Sequence, residues 1–137
     1  MTWVRSRWVR SRRASAAVEF AIVATVLIPL TFAIIELGLV LWMQTAMQSV
    51  ASQTARCAAI GSPQCSGNVP AYAVTLANNW TLAGAITQSN VAVSATTTCN
   101  GASATFEKVT ISVPVWSTMV LQPFLPDTIT VSSCYPT

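Results

Sequence analysis

The stretch from Ala14 to Met43, ASAAVEFAIVATVLIPLTFAIIELGLVLWM, limits what this chain can fold into more than any other. It is too apolar for a surface helix, yet it holds two carboxylates, Glu19 and Glu36. About 20 apolar residues cross a bilayer core as a helix, and the run from Ser15 to Met43 exceeds that. An ionised carboxylate inside hydrocarbon costs on the order of 3 kcal/mol even on the lenient insertion scale. Glu19, at the start of the run, is therefore expected at the interface or beside a partner. Composition agrees with a small anchored protein: 53% of residues are hydrophobic, 8% are charged and the mean hydropathy is +0.55, too greasy for an ordinary soluble domain.

Charge sets the expected orientation. Arg5, Arg7, Arg10, Arg12 and Arg13 precede the apolar run, and no acidic residue comes before Glu19. Under the positive-inside rule the N-terminus stays in the cytoplasm and everything after Met43 crosses the membrane. The arginines alternate with Trp3 and Trp8, as a nucleic-acid arm would, but a basic leader directly before a membrane segment already has a topological explanation, so no nucleic-acid partner is expected. A cleaved secretory signal would have an apolar region of roughly 7 to 15 residues, and this one runs about twice that length.

Within the run, Pro29 lacks an amide hydrogen and should bend the helix or break one hydrogen bond. Glu36 lies 17 residues beyond Glu19, about 26 Å along a helix, so the two carboxylates belong near opposite edges of the bilayer and cannot form a catalytic pair. Glu36 is expected to face a partner helix or the outer headgroups, and Trp42 fits an outer interfacial aromatic. Beyond the membrane the composition turns small and polar. Ala46, Met47, Val50, Ala51, Thr54 and Ala58 recur at steps of three and four, so the same helix should continue outward with a narrow packing stripe, roughly 45 residues in all. Gly61, Ser62 and Pro63 end it, with Gly61 as a left-handed cap.

The remainder reads as a small head. Pro70 to Trp80 has Tyr72, Val74, Leu76 and Trp80 near helical spacing, with proline in the first turn, which predicts a short helix. The period then changes: Asn90 to Thr98, Thr105 to Trp116 and Thr128 to Cys134 alternate and are rich in Val, Ile and Thr, as half-buried strands are. Asn100 and Gly101 supply a turn, Pro114 marks a strand end or an edge, and the loop from Pro123 to Asp127 leads into the last strand. Lys108 beside Glu107 reads as a solvated strand pair. The expected architecture is α+β: a basic leader over 1–14, a transmembrane and assembly helix over 15–43, a helical stem over 44–60, and a head over 61–137 with a short helix and a three-stranded antiparallel sheet.

All four cysteines fall in the exported part, where an oxidising compartment favours disulfides, and four cysteines allow three connectivities. Cys57 and Cys65 flank the end of the stem, and Cys99 and Cys134 sit at the ends of the first and third predicted strands, which favours those two pairs. On the loop-entropy model they are worth roughly 2.5 and 4 kcal/mol. Such staples suit a head with little core of its own. A metal site is not expected, because the chain has no histidine and no closely spaced cysteine pair. Enzyme chemistry and cofactors are not expected either. A hydroxyl or thiol nucleophile lacks its commonest base, no glycine-rich phosphate loop occurs, and Glu107 and Asp127 stand singly.

The junction RRASAAVEFAIV carries the most specific chemistry. A basic leader ends at Ala14, and Glu19 follows five positions later at the start of the apolar run, which resembles the type IV pilin class of signals. The match narrows further. Val18-Glu19-Phe20, Pro29, Ile34-Ile35-Glu36, Gly38 and Arg56 together look like the TadE-like pseudopilins, minor components of the tight-adherence (Tad/Flp) pilus. The likeness runs closely from Arg12 to about Ala59 and loosely over the C-terminal third. It implies a prepilin peptidase that cuts between Ala14 and Ser15, although the family usually has glycine where this chain has Ala14. Glu19 would then pair with the new α-amino group of a neighbouring helix, with Phe20 as the apolar residue beside it, and Pro29, Glu36 and Gly38 are candidates for helix packing. The implied partners are the membrane, the peptidase, other pilin and pseudopilin subunits and the inner-membrane assembly platform. The implied location is the inner membrane, in a single pass with the head outside. The alternative is an uncleaved signal-anchored protein whose head binds a partner, and such a protein needs no Glu at a fixed distance from Ala14.

Overall fold

The computed structural model describes residues 3–80, 82, 84–99, 101–115 and 126–137, with side chains from residue 15 onward except residue 97. The leader side chains, Asn100, Trp116 and the loop residues 123–125 therefore lie outside the described residues. In chain order the elements are α1 (Trp3–Ala59), α2 (Val69–Asn79), a single 3-10 turn (Gln88–Asn90), β1 (Val91–Cys99), β2 (Ala102–Pro114) and β3 (Thr128–Pro136). The class is α+β, with one long helix and a three-stranded antiparallel sheet in the order β1-β2-β3 among the described residues.

Helix α1 runs through Pro29 without interruption. Proline has no N–H to offer the Thr25 carbonyl, so one rung of the ladder is missing there. The helix stops where the sequence predicts. Gly61 has φ +61°, its N–H donates to the Ala58 carbonyl, and Ser62 N–H donates to the Cys57 carbonyl, the paired bonds of a Schellman closure. Cys57 and Cys65 are disulfide-bonded with Cα atoms 6.2 Å apart, which holds the following turn against the helix end. Asn68 caps α2: its Oδ1 accepts from Ala71 N–H at 3.0 Å, and Pro70 occupies the first turn.

The core forms where α1 lies across the sheet, chiefly over β3 and β2, while α2 packs against α1 and β1. Val109, Ile111 and Val113 on β2 and Ile129 and Val131 on β3 point inward, meeting Met47, Val50, Ala51 and Ala55 of α1. The stripe on α1 is broader than the sequence suggests. Ala58 is only half-buried, whereas Val40, Met43, Ala55 and Cys57 are buried, so the head covers α1 from Val40 onward. On α2 the packing face is also different. Ala73 and Ala77 are fully buried, Tyr72, Val74 and Leu76 are half-buried, and Trp80 is exposed. The physical reason is proximity, since small side chains on both helices let their backbones approach.

In the sheet, β2 begins at Ala102, ahead of the expected Thr105, and ends at Pro114 although it is the middle strand. Proline is tolerated there because it is the last ladder position, paired with Thr128. Glu107 and Lys108 do not form a pair. Successive strand residues face opposite sides, so Glu107 stands level with Ala95 and Tyr135 while Lys108 stands level with Ser94 and Cys134.

Cys99 and Cys134 are bonded, with Cα atoms 6.5 Å apart. By register Cys99 faces Ala102 and Cys134 faces Lys108, on opposite sides of β2. In a flat sheet those positions would be about 20 Å apart, from six residues of rise and two strand spacings. The β1–β2 arm must therefore curl back over β3. The register shift between Thr96 and Thr98 supplies a bulge, which raises local twist and bends a strand.

Candidate assembly helix

From Ser15 to Leu39 the side chains of α1 are almost all exposed among the described residues, Phe20 at 74%. These 25 residues span about 37 Å at 1.5 Å per residue, more than a hydrocarbon core of about 30 Å. An exposed apolar surface of this extent does not persist in water and marks a membrane or an interaction site. The helix is long and apolar enough to cross a membrane. Such a helix near the N-terminus suggests a membrane-anchored protein.

Only two neutral hydroxyls stand well inside the run, and both are satisfied within the helix. Thr25 Oγ1 donates to the Ile22 carbonyl at 2.7 Å, and Thr31 Oγ1 donates to the Leu27 carbonyl at 2.7 Å. Hydrocarbon offers no partner to a hydroxyl, so this back-bonding makes both threonines compatible with lipid or with an apolar neighbour. It was readable in principle from threonines placed within a helix, but the reading of apolar periodicity passes over them.

The sequence-predicted residues fall along this helix in two groups. Ser15, Glu19 and Phe20 are exposed at its lower end, where Ser15 Oγ donates to Glu19 Oε1 at 3.4 Å. Ala14 lies in α1 by its backbone, and its side chain is outside the described residues. At the upper end Glu36 is half-buried and Gly38 is exposed, with open space around the position of a missing Cβ. Gly38 thus relieves no clash within the chain and leaves a shallow notch on an outer face. Pro29 lies exposed between the two groups. The helix keeps Glu19 and Glu36 apart and brings neither to the disulfides, which belong to the head.

Contacts missed at sequence level tie the head to the helix just above the exposed segment. Val40 and Met43 are 9% and 7% exposed, although both sit in the stretch that reads as membrane span. Gln48 Nε2 donates to the Ser132 carbonyl of β3 at 3.2 Å. The spacing of Val40, Met43 and Met47 was a signal for a core-facing stripe, but uniform apolarity around it concealed the face. The head therefore sits directly on the end of the exposed segment, with no spacer of bare helix between them.

Residues 14–56 match the family model described as TadE-like protein. No curated protein and no solved structure matches the chain. The matched span holds the exposed helix, both carboxylates, Pro29, Gly38 and the part of α1 on which the head rests.

Proposed function

We propose that this chain, whose residues 14–56 match the TadE-like family model, is a minor pilin or pseudopilin of a Tad/Flp adhesive pilus. A prepilin peptidase removes residues 1–14 on the cytoplasmic side of the inner membrane. The processed α1 then joins the helices of other pilin and pseudopilin subunits at the assembly platform. The role is structural, without catalysis or a cofactor. The supporting observation is the exposed helix itself: 25 residues of apolar surface that the head leaves free, with Glu19 at the lower end.

Glu19 fits the part physically. Its carboxylate has acceptor capacity beyond the distant Ser15 hydroxyl, and cleavage creates an α-amino group on each subunit at the same depth. Pairing that amine with Glu19 of a neighbour offsets desolvation of both charges and sets the axial register of the two helices. Removal of residues 1–14 also takes away five positive charges, so the side-chain charge falls from +3 to −2 and the cytoplasmic anchor is released.

The decisive experiment is the intact mass and N-terminal sequence of the protein from cells with and without the prepilin peptidase. A mature chain that starts at Ser15 only when the peptidase is present is the expected result. Full-length chain in both would replace this reading with an uncleaved signal-anchored protein, for which the substitution of alanine for the usual glycine at residue 14 is the physical reason. Glu19→Gln should leave membrane insertion unchanged and impair pilus assembly, measured as sheared pilus protein; unimpaired assembly would remove Glu19 from the mechanism.

A further inference from the structure

The far end of α1 carries a concavity that the assembly helix does not use. Gln53, Arg56 and Ile60 lie on one helix face, Ser62 and Gln64 come from the turn stapled by Cys57–Cys65, and Tyr72 comes from α2. Together they line an open pocket of about 260 Å³. Its polar groups are a guanidinium with five N–H donors, and two carboxamides and two hydroxyls that can each donate or accept, with no carboxylate among them. Among the described residues no ion pair reaches Arg56.

An arginine in the last turn of a helix ordinarily lies over the terminal carbonyls. Here those carbonyls are already taken. Arg56, Cys57 and Ala58 accept from the N–H groups of Ile60, Ser62 and Gly61. The helix end closes on itself and leaves the guanidinium without that role. The disulfide and the packing of α2 on α1 fix the backbone of the other walls, from which the exposed side chains of Gln53, Arg56 and Gln64 project.

We propose that this pocket receives an acidic side chain from a neighbouring protein subunit, with Arg56 as the anion-binding group and Gln64 and Tyr72 as flanking donors. A lipid phosphate is not the source. Arg56 lies 15 residues beyond Leu41, about 22 Å along the helix. The headgroup layer is only about 5–8 Å deep on each side of the bilayer. A small free anion is held weakly by one guanidinium in an open pocket. A carboxylate on a subunit already lying along α1 arrives at high effective concentration, and the planar guanidinium can hold it with two parallel bonds. The chain's own head acids, Glu107 and Asp127, do not line the pocket, so the carboxylate comes from another molecule. This inference does not require cleavage at Ala14.

The test uses the full chain in its native cells with a photo-crosslinking amino acid in place of the exposed rim residue Ile60. The adduct is compared in chains with Arg56, Arg56→Lys, Arg56→Gln and, with Arg56 kept, Tyr72→Phe. A protein adduct whose attachment segment holds Asp or Glu within a few residues is expected. Its yield should fall about tenfold with Arg56→Gln, stay within about twofold with Arg56→Lys, and drop about threefold with Tyr72→Phe, as a charge-assisted contact flanked by a neutral one predicts. Replacing the partner's acid by lysine should restore the adduct with Arg56→Glu. An adduct on lipid, no protein adduct, an attachment segment without an acid, or a yield indifferent to Arg56→Gln would overturn the proposal. The N-terminal mass of the same sample separates this result from the processing test: an unprocessed chain that still crosslinks through Arg56 sinks the cleavage and spares the pocket.

Discussion

Thr54 shows how much a single residue can say once its surroundings are known. It is fully buried on the core face of α1, and among the described residues its Oγ1 has no hydrogen-bond partner. A buried hydroxyl left unpaired costs about 1–3 kcal/mol. Thr54→Val keeps the shape and removes the orphan atom, so the midpoint of urea unfolding should rise, by a stability gain of about 1 kcal/mol. The same residue belongs to the stripe read from the sequence, where spacing alone placed it correctly on the buried face. What spacing could not give is the missing partner, which depends on what the rest of the fold places around that oxygen. Gly61 is the opposite case. Its left-handed φ follows from local helix closure, so the sequence sufficed. Ala14 differs again: the significance proposed for it lies in a reaction, and no packing argument bears on it.

At the scale of elements, helix contact runs through alanine. Ala73 and Ala77 of α2 share the core with Ala51 and Ala55 of α1, all fully buried. Ala73→Leu would force the helices apart and should destabilise the head by about 1–3 kcal/mol, measured by chemical unfolding. The larger residues Tyr72, Val74 and Leu76 attract notice in a sequence because they carry most apolar area, yet they flank the contact. The C-terminal end of α1 and the three strands seen among the described residues were legible because each rests on local periodicity, whereas the start of the helix at Trp3, inside the basic leader, was not. The curl of the β1–β2 arm was not, since a strand pattern specifies which face is buried and leaves bending to a bulge at Thr96–Thr98 and to a crosslink from outside the pair. The lower limit of the packed stem was equally hidden. Val40 and Met43 are core residues embedded in a segment apolar on every side. A truncated chain beginning at Leu39 should therefore be more stable than one beginning at Gln44, by about 2–5 kcal/mol for two buried side chains, as read from their unfolding midpoints.

For the molecule as a whole, the division is between the segment of α1 from Ser15 to Leu39, which the head leaves exposed, and a head built on the rest of the same helix. α1 supplies one wall of the only core formed among the described residues, so the head is not a passenger on a separate anchor. Any movement of the helix along a neighbour carries the head with it, and the pocket at Arg56 moves as part of the same body. The two crosslinks have a consequence for the chain under load. They close loops of 8 and 35 residues of sequence separation, and the chain end is held beside them where Thr137 N–H donates to the Thr105 carbonyl at 3.1 Å. Pulled between its ends, the oxidised chain keeps about 150 Å of contour slack out of reach, at about 3.5 Å per residue. Force-extension curves of single molecules should lengthen by that amount on reduction. Oxidised, the head yields as a short tether, and a tug on it reaches α1 before it is lost in unravelling chain.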